Sequence, residues 1–409
     1  MKKKVVYSIM IVGFFLLLTA CSQQKESKTI TFWNPLVGDD GTYMNSMVKA
    51  YNKTKPEYPI DAVVSSDMYT KIYSVMASKK DIPDLAIIHA DRVPGFAKAN
   101  MLDNMDNVMK WQPNIKKSNY IPQAWKAGTY KNVQYTVPLD IHSSAMYYNK
   151  DLLKKYGITH FLDDGVVTFD EMLSLQRKMK PGDFVVNNAL LSWVILSNLV
   201  NYGGDIKDSK ENPTLDTPEM KKTLESIKQL ADEKLMTPNG EDGYLMFQSG
   251  HVLFSTDGTW TSTAHNKVKG LNYGVTNVYS PSPNKINNRG SSHMFALLKN
   301  KARTKEKEKG IAKFLEYIRN NSMEWAKAGQ VVASKKVYEA PEFKKYPQSF
   351  FTSSKKELDS LHVFTYVYYP YVQKAIDTYC FDIVYNNISI DEGMKKMQQF
   401  VTDQVNAIK

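Results

Sequence analysis

Thr29-Ile30-Thr31-Phe32-Trp33 opens a series of alternating strand and helix patterns that ends at Leu85-Ala86-Ile87-Ile88-His89. These two runs, and a third at residues 59–64, are rich in the β-branched and aromatic residues that favour strands. Between them, apolar residues recur at helical spacing, first within 44–51 and then within 69–77. Strands that alternate with helices predict an α/β fold with a mainly parallel sheet.

Polar and aromatic residues at the ends of the predicted strands form the first candidate site. In parallel sheets ligands bind beyond the carboxyl ends of the strands, so residues that follow two of these strands should share one rim. We therefore predict that a ligand meets the rim formed by Trp33, Asp39, Asp40, His89, Asp91 and Arg92.

The chain leaves this first unit and returns to it without a flexible linker. Pro138-Leu139-Asp140 precedes a new series of helical patterns at residues 165–260, which we assign to a second lobe. A strand pattern at 291–298 and a helical stripe at 311–318 indicate a return to the first lobe. Because no Gly/Ser-rich segment separates the lobes, we expect several crossings between them.

The composition excludes several classes of protein. With 409 residues, 43% hydrophobic and 23% charged, the chain is long enough for two lobes with cores of their own and is not disordered. Lys and Arg outnumber Asp and Glu by 53 to 42, yet no basic run lies beside spaced aromatics, so we expect no nucleic-acid partner. Of the two cysteines only Cys380 lies within the folded body, so we expect no disulfide there.

The N-terminus has the pattern of a lipoprotein export signal. Lysines at residues 2–4 precede the apolar stretch 5–18, which is too short to span a bilayer comfortably. The stretch ends in Leu18-Thr19-Ala20-Cys21, which resembles the bacterial lipobox, in which the Cys thiol carries diacylglycerol. We therefore predict a signal peptide over residues 1–20, lipidation of Cys21, and a polar lipidated tether over residues 21–28.

The mature chain resembles the family of extracytoplasmic sugar-binding proteins of ABC importers, typified by maltodextrin-binding protein. The resemblance depends on the order and spacing of five segments. They are residues 31–33 with Gly38-Asp39-Asp40-Gly41, residues 83–92, residues 135–140 with Tyr147-Tyr148-Asn149-Lys150-Asp151-Leu152-Leu153, residues 247–260, and residues 294–317. Two positions depart from the maltodextrin binders, which carry an aromatic residue at the place of Ile88 and a lysine at the place of Asp40.

The resemblance implies a two-lobed α/β fold of the periplasmic-binding-protein type, with several interlobe crossovers and a ligand cleft. We place the first lobe at residues 29–139 plus about 295–320, and the second at residues 140–294 plus about 321–409. The implied function is that of a lipid-anchored, monomeric receptor on the extracytoplasmic face of the bacterial cell membrane. It would capture a carbohydrate and deliver it to the permease subunits of an ABC transporter, without being an enzyme and without a cofactor or metal.

Sugar recognition needs flat aromatic rings for the apolar faces of the sugar and polar side chains for its hydroxyl rim. Charged groups make the stronger hydrogen bonds to hydroxyls. The residues of these types at the predicted strand ends, the crossovers and the segments of the resemblance are Trp33, Asp39, Asp40, Asp91, Arg92, Asp140, His142, Trp193, Asp257, Trp260 and Tyr369.

Other functions stay open at this point. A peptide or a polyamine is a possible ligand, and the pairs Tyr147-Tyr148 and Tyr368-Tyr369 offer phenolates to a ferric ion. A surface glycoside hydrolase is disfavoured, because adjacent carboxylates such as Asp39 and Asp40 cannot flank one bond at the distance of about 5 to 10 Å that hydrolysis requires. The seven histidines show no His-x-x-x-His pair, so the sequence predicts no zinc site.

Overall fold

The computed structural model describes residues 28–408, so the predicted signal peptide, the lipidation of Cys21 and nearly all of the tether lie outside the described residues. The strands, numbered in chain order, are β1 (Ile30–Asn34), β2 (Ile60–Val64), β3 (Leu85–His89), β4 (Leu102–Asp103), β5 (Thr129–Tyr130), β6 (Val133–Gln134), β7 (Thr136–Pro138), β8 (Asp140–Asn149), β9 (Phe184–Val186), β10 (Val252–Gly258), β11 (Tyr273–Thr276), β12 (Asn288–Ser291), β13 (His293–Leu298), β14 (Val331–Val332) and β15 (Leu361–Val363).

The helices alternate with these strands along most of the chain. They are α1 (Asp39–Lys53), α2 (Met68–Ser78), α3 (Val93–Lys98), α4 (Asp106–Trp111), α5 (Pro122–Ala127), α6 (Lys150–Tyr156), α7 (Phe169–Leu173), α8 (Leu191–Asn201), α9 (Pro218–Asp232), α10 (Gly243–Gln248), α11 (Ser262–His265), α12 (Lys305–Asn321), α13 (Met323–Ala326), α14 (Lys335–Tyr338), α15 (Lys355–Asp359), α16 (Tyr369–Val384) and α17 (Ile390–Asn406). None of the helices between residues 28 and 408 has the length and apolar character needed to cross a membrane.

The first sheet has the strand order β2-β1-β3-β13-β4, with β7 also paired to β13. β1 runs parallel to both β2 and β3, as the alternating pattern predicts, whereas β13 enters antiparallel to β3. β13 lies in the segment 291–298, where the sequence predicts a strand that returns to the first lobe, but its antiparallel direction and its place beside β3 were not predicted. Phe314 of α12 packs edge-on against Phe32 of β1, with ring centroids 5.9 Å apart, which covers one face of this sheet.

The second sheet has the order β15-β12-β8-β10-β9, and β11 and β14 also pair with β8. All of β8 except Tyr148 is buried, so this strand forms the centre of the second lobe. A separate hydrophobic core covers the sheet and includes buried residues of α8, α9, α16 and α17.

Two short crossings connect the sheets side by side. β7 ends at Pro138 in the first sheet and β8 begins at Asp140 in the second, with Leu139 alone between them. The return is as short, because Ser292 separates the end of β12 in the second sheet from the start of β13 in the first. Each crossing is a single residue, so polar groups on both strands are held close to the base of the cleft between the lobes.

The predicted limits of the lobes remain a prediction, and the segment 323–338 shows why they are hard to set. α13 packs against α1 of the first lobe, whereas β14 pairs with β8 of the second. The backbone at Ala333 accepts a hydrogen bond from Ile121 and donates one to Leu139. This segment therefore lies along the boundary between the two lobes.

Candidate functional site

A cavity of about 320 Å³ lies between the lobes, beside the two crossings. Both lobes contribute side chains to it. The lining residues are Asp40, His89, Asp91, His142, Trp193, Trp260, Arg289, Ser291, His293 and Gln330.

Six of the residues predicted to meet a ligand line this cavity, including His89 at the end of β3. Asp40 lies in the first turn of α1, where the helix dipole favours a carboxylate. Asp91 lies in the 3-10 turn that follows β3, and His142 is the third residue of β8. Trp193 on α8 and Trp260 in the turn after β10 complete the group. Three residues of the expected rim, Asp40, His89 and Asp91, thus lie on one wall, and the second lobe supplies the aromatic wall.

The two indoles are held in fixed relation to each other. Trp193 and Trp260 pack edge to face, with ring centroids 5.6 Å apart and an angle of 75°. The ring of Trp260 lies directly over Gly258, since a Cβ atom at that position would come within 2.2 Å of the indole. The absence of a side chain at Gly258 therefore determines where the Trp260 ring can lie.

Arg289 of β12 stacks on this aromatic wall. Its guanidinium carbon lies 3.4 Å from the centre of the Trp193 ring, and its Nε donates a 2.7 Å hydrogen bond to the hydroxyl of Tyr369. Within residues 28–408, three buried polar atoms of the lining have no hydrogen-bond partner: Arg289 Nη1, Ser291 Oγ and Gln330 Oε1. Unpaired buried polar atoms cost roughly 1–3 kcal/mol each, so a polar ligand that approaches them gains from pairing with them.

Three histidines converge at the base of the cavity. His89 ends β3, His293 begins β13 directly opposite it, and His142 lies on β8. The ring centroids of His142 and His293 are 4.4 Å apart, and those of His89 and His293 are 5.0 Å apart. Both rings at the crossings bond to the buried carboxylate of Asp140, through His142 Nδ1 at 3.3 Å and His293 Nδ1 at 2.7 Å.

Burial and mutual proximity set the charges of this cluster. Burial and the repulsion of His293 together lower the pKa of His142 to about 4, although Asp140 opposes this shift. Burial likewise holds the pKa of His89 well below its ordinary value. Burial alone would raise the pKa of Asp140, but the charge of His293 and the hydrogen bonds from both rings hold it well below its usual range. Burial opposes the charged form of His293, but the charge of Asp140 and its hydrogen bond raise the pKa of His293 above its ordinary value. Asp140 is therefore an anion beneath two neutral imidazoles, His89 and His142, and it favours the protonated form of His293.

Three of the predicted residues lie near the cavity without lining it. Trp33 packs beside the core between α2 and β3. Asp39 is exposed and pairs with Lys267 of the second lobe at 2.9 Å. Arg92 pairs with Asp91 at 3.3 Å and stacks over the Tyr69 ring, and it faces a second cavity of about 890 Å³.

The other three are buried supports. Asp140 is fully buried, and its oxygens are taken up by the two histidines and by the indole nitrogen of Trp325. Tyr369 is 1% exposed and holds Arg289 from behind. Asp257 is 8% exposed, and its carboxylate accepts a hydrogen bond from the backbone N–H of Gly258. Burial raises the pKa of Asp257 to about 7. That these side chains touch ligand stays a prediction; in the structure the polar atoms of Asp140 and Tyr369 are engaged by buried partners.

Four lining residues were not among the predicted ones. Arg289 and Gln330 lie in segments to which the sequence reasoning assigned no strand or helix, whereas Ser291 and His293 belong to the strand pattern predicted at 291–298. Asn288–Ser291 is a four-residue strand that directly precedes the return crossing, and this position is the one signal that would have pointed to Arg289 and Ser291.

The tyrosine pairs do not form a cation site. The Tyr147 hydroxyl donates to the backbone oxygen of Gly258, and Tyr148 projects from the opposite face of β8. Burial raises the pKa of Tyr369 to about 12, which disfavours the phenolate that a ferric ion needs. The ferric-ion alternative therefore loses both of its proposed ligand pairs.

Residues 46–352 match the family of bacterial extracellular solute-binding proteins. The sn-glycerol-3-phosphate-binding periplasmic protein UgpB of Salmonella typhimurium is 22% identical over 356 residues, which cover 80% of this chain and 79% of that protein. The arabinooligosaccharide-binding protein of Bacillus subtilis is 25% identical over 259 residues, which cover 59% of this chain and 58% of that protein.

Solved structures share the fold. The sugar-binding protein MalE from Xanthomonas citri superimposes with a TM-score of 0.78 at 15% identity, over 93% of this chain and 99% of that one. The cyclic alpha-maltosyl-1,6-maltose binding protein from Arthrobacter globiformis gives a TM-score of 0.73 at 20% identity, over 92% and 98%. These likenesses confirm the predicted two-lobed α/β fold.

The family match also bears on activity and location. Its members are extracellular binding proteins and not enzymes, which agrees with the expected absence of a hydrolase. The match spans most of both lobes, from α1 to the end of the 3-10 turn Pro347–Thr352. The chain therefore belongs to the family of bacterial extracellular solute-binding proteins.

Proposed function

We propose that the protein is a lipid-anchored carbohydrate receptor that captures a sugar between its lobes and delivers it to the permease of an ABC transporter. The observation that carries the proposal is the pair of indoles, Trp193 and Trp260, set across the cavity from the carboxylates of Asp40 and Asp91. Flat rings bind the C–H face of a pyranose, and carboxylates accept from its hydroxyls. The unpaired atoms of Ser291 and Gln330 add neutral partners for the same hydroxyl rim.

The relatives support this class of ligand. They are named for an arabino-oligosaccharide, a cyclic maltosyl-maltose and glycerol 3-phosphate, all of them polyhydroxylated. The second cavity, which shares Asp91 with the first, carries exposed faces of Tyr73, Tyr368 and Tyr371. An oligosaccharide longer than the first cavity would extend over these rings.

Capture works by closure of the lobes on the ligand. The cavity takes Asp40 and His89 from the first lobe and Trp193 and Trp260 from the second, so a sugar that touches both walls binds the closed form better. Such differential affinity shifts the population toward that form. Contacts across the cleft, Asp39 to Lys267 at 2.9 Å and Lys98 to the Tyr368 hydroxyl at 3.2 Å, add to its stability.

A second candidate ligand is a phosphorylated polyol. Arg289 is 5% exposed, and its Nη1 has no partner within residues 28–408. A guanidinium binds phosphate through charge-assisted hydrogen bonds, and the Salmonella relative is named for glycerol 3-phosphate. The carboxylates of Asp40 and Asp91 on the same cavity oppose an anion, which is why the neutral sugar is the main proposal.

A thermal-shift screen separates these ligands. Neutral mono- and oligosaccharides are compared with glycerol 3-phosphate, since a ligand that binds only the folded state raises the melting temperature. For each ligand that shifts it, small-angle scattering should show a smaller radius of gyration with unchanged monomer mass. An unchanged radius at saturation, with binding verified by calorimetry, contradicts closure. A shift with glycerol 3-phosphate and with no neutral sugar overturns the carbohydrate proposal.

Lipid anchoring is tested through Cys21. We expect Cys21→Ala to release the folded protein from membranes while sugar binding stays unchanged, because the lipid attachment site is lost and the lobes are untouched. Fractionation of cells expressing the two forms gives the readout, and Cys380→Ala is the matched control. A Cys21→Ala protein that remains membrane-bound shows that the lipobox interpretation is wrong.

A further inference from the structure

The histidine cluster at the base of the cavity has the geometry of a metal centre. One ligand atom from each of His89, His142 and His293 lies within 4.8 Å of the other two. Three atoms at such spacing lie about 2.8 Å from a common point, and a zinc ion binds imidazole nitrogen at about 2.0–2.1 Å. Each ring therefore needs to move inward by about 0.7 Å to bind one ion, which a small side-chain rotation supplies.

Hydrogen bonding leaves the same nitrogen free on every ring. Asp140 accepts from His142 Nδ1 at 3.3 Å and from His293 Nδ1 at 2.7 Å, and the Tyr69 hydroxyl lies 2.6 Å from His89 Nδ1. A carboxylate only accepts hydrogen bonds, so Nδ1 carries the proton in the first two rings and Nε2 presents its lone pair. No Nε2 of the three rings has a hydrogen-bond partner among the residues that the structure describes.

This arrangement matches the way proteins prepare histidine for metals. A metal-binding histidine almost always donates its other ring N–H to a carboxylate, a carbonyl or a similar acceptor, which fixes the tautomer and the ring orientation. Asp140 does this for two rings at once, and Trp325 Nε1 holds the carboxylate in place with a 2.7 Å hydrogen bond. The Tyr69 hydroxyl accepts a 2.9 Å hydrogen bond from the His89 backbone nitrogen, so metal binding through His89 Nε2 requires this hydroxyl to accept the Nδ1 proton as well.

We propose that the Nε2 atoms of His89, His142 and His293 bind one divalent first-row transition metal ion of the kind that prefers imidazole, such as Zn²⁺, Ni²⁺ or Cu²⁺. The cavity of about 320 Å³ adjoins all three rings, so the ion keeps an open position on that side. A water molecule or an oxygen of the bound solute fills this position. The site stands on its own geometry and does not depend on which solute the cleft captures.

The ion would also join the two lobes. His89 and His293 belong to the first sheet, whereas His142 belongs to the second. The crossings at Leu139 and Ser292 lie directly beside the cluster. A shared ion therefore ties the base of the cleft together and is expected to raise the melting temperature of the protein.

The test uses the mature chain without a histidine tag, stripped of metal by a chelator. Cobalt(II) is titrated first, because a tetrahedral cobalt site has an intense visible absorption that octahedral cobalt in water lacks. Calorimetry with ZnCl₂ then gives the stoichiometry and affinity. We expect one ion per chain, a dissociation constant below about 10 µM and a rise in melting temperature.

Variants assign the ligands. His293→Gln and His89→Gln should each weaken zinc binding by at least about a hundredfold, since each removes one of three ligands. His89 is only partly buried, so His89→Gln keeps the test valid if the His293 variant does not fold. The control is His251→Gln, a largely exposed histidine outside the cavity, which should bind as the unaltered protein does.

Two results would overturn the proposal. One is an unaltered protein that binds none of Co²⁺, Zn²⁺, Ni²⁺ and Cu²⁺ more tightly than about 100 µM, measured with and without saturating sugar. The other is binding that survives unchanged in folded His89→Gln and His293→Gln proteins, which would place the ion elsewhere. Either result is kept independent of the sugar-binding test by running the thermal-shift screen for sugars in the presence of a chelator.

Discussion

The carboxylate of Asp140 accepts a 2.7 Å hydrogen bond from the indole nitrogen of Trp325, and both residues are fully buried. Asp140 is the first residue of β8 after the crossing, and Trp325 lies on α13 beside α1. The bond therefore joins the start of the second sheet to a helix packed on the first lobe. It also supplies one of four donors to a buried carboxylate beneath the cavity, the others being His142 Nδ1, His293 Nδ1 and the His293 backbone nitrogen.

Loss of the hydrogen bond from the Trp325 indole to Asp140 should destabilise the protein. We expect Trp325→Phe to lower the free energy of unfolding by about 1–3 kcal/mol beyond the effect of reduced burial, because Asp140 keeps its charge with one hydrogen bond fewer. Trp125→Phe is the matched control, a buried indole with no carboxylate partner among the described residues. Denaturant unfolding of both variants measures the difference. Equal losses would contradict a role for the Asp140 bond.

Asp257 predicts a dependence of stability on pH. Burial raises its folded-state pKa from 3.8 to about 7, so between these values the unfolded state is ionised and the folded state binds the proton. The unfolded state then binds fewer protons, so stability falls as pH rises from about 4 to about 7. Asp257→Asn removes this ionisation and keeps an oxygen for the Gly258 N–H.

Asp257→Asn should therefore be more stable than the unaltered protein at pH 8, by at most about 4 kcal/mol. Near pH 4 the two proteins should have the same stability. Asp61→Asn, which changes an exposed carboxylate of β2, is the control and should follow the unaltered protein at every pH. Unfolding in denaturant across this pH range gives the comparison. If Asp257→Asn shows the same slope with pH as the unaltered protein, another group is responsible.

The two buried carboxylates show where sequence reasoning reached its limit. The crossover pointed to Asp140 and the family resemblance to Asp257, and each adjoins lining residues: Asp140 bonds His142 and His293, and Asp257 precedes Gly258 beneath the Trp260 ring. Whether a side chain faces the cavity depends on partners far along the chain, such as Trp325 for Asp140. Likewise, nothing in the spacing of residues 89, 142 and 293 indicates a cluster, because the pairing of β13 with β3 creates it.

The ion pair between Asp39 and Lys267 should favour the closed form. Its atoms are 2.9 Å apart and it connects α1 of the first lobe to the turn after α11 of the second. We expect Asp39→Lys and Lys267→Asp each to weaken sugar affinity a few-fold by placing like charges across the cleft. The double swap should restore it, because the pair is re-formed with opposite polarity.

Calorimetry in low and high salt measures this effect. It should largely vanish at about 1 M salt, where the screening length is about 3 Å. The pair Asp67 and Lys71, at 2.9 Å within the first lobe, serves as the control, since reversing it changes no contact across the cleft. Single variants that bind sugar like the unaltered protein at low salt would show that the pair contributes nothing to closure.

Trp260 and Gly258 allow the aromatic wall to be tested in two independent ways. Trp260 is only partly buried, so Trp260→Ala should cost far less stability than the roughly 3–5 kcal/mol of a core tryptophan. Removal of the Trp260 ring should instead weaken sugar affinity by at least about tenfold. Trp260→Phe should have an intermediate affinity, because a smaller flat ring remains. Trp111→Ala, an exposed tryptophan of α4, is the control and should leave affinity unchanged.

Gly258→Ala tests the position of the ring while the ring itself is kept. Gly258 has φ −86° and ψ 154°, which alanine adopts without strain, yet the added Cβ would come within 2.2 Å of the indole. The ring must therefore move, and we expect sugar affinity to fall as in Trp260→Ala while the unliganded melting temperature changes by a few degrees. Calorimetry and thermal melts of both variants decide the matter. If Trp260→Ala melts far below the unaltered protein and its folded fraction binds sugar normally, the ring is a core element and Trp193 is the stacking surface.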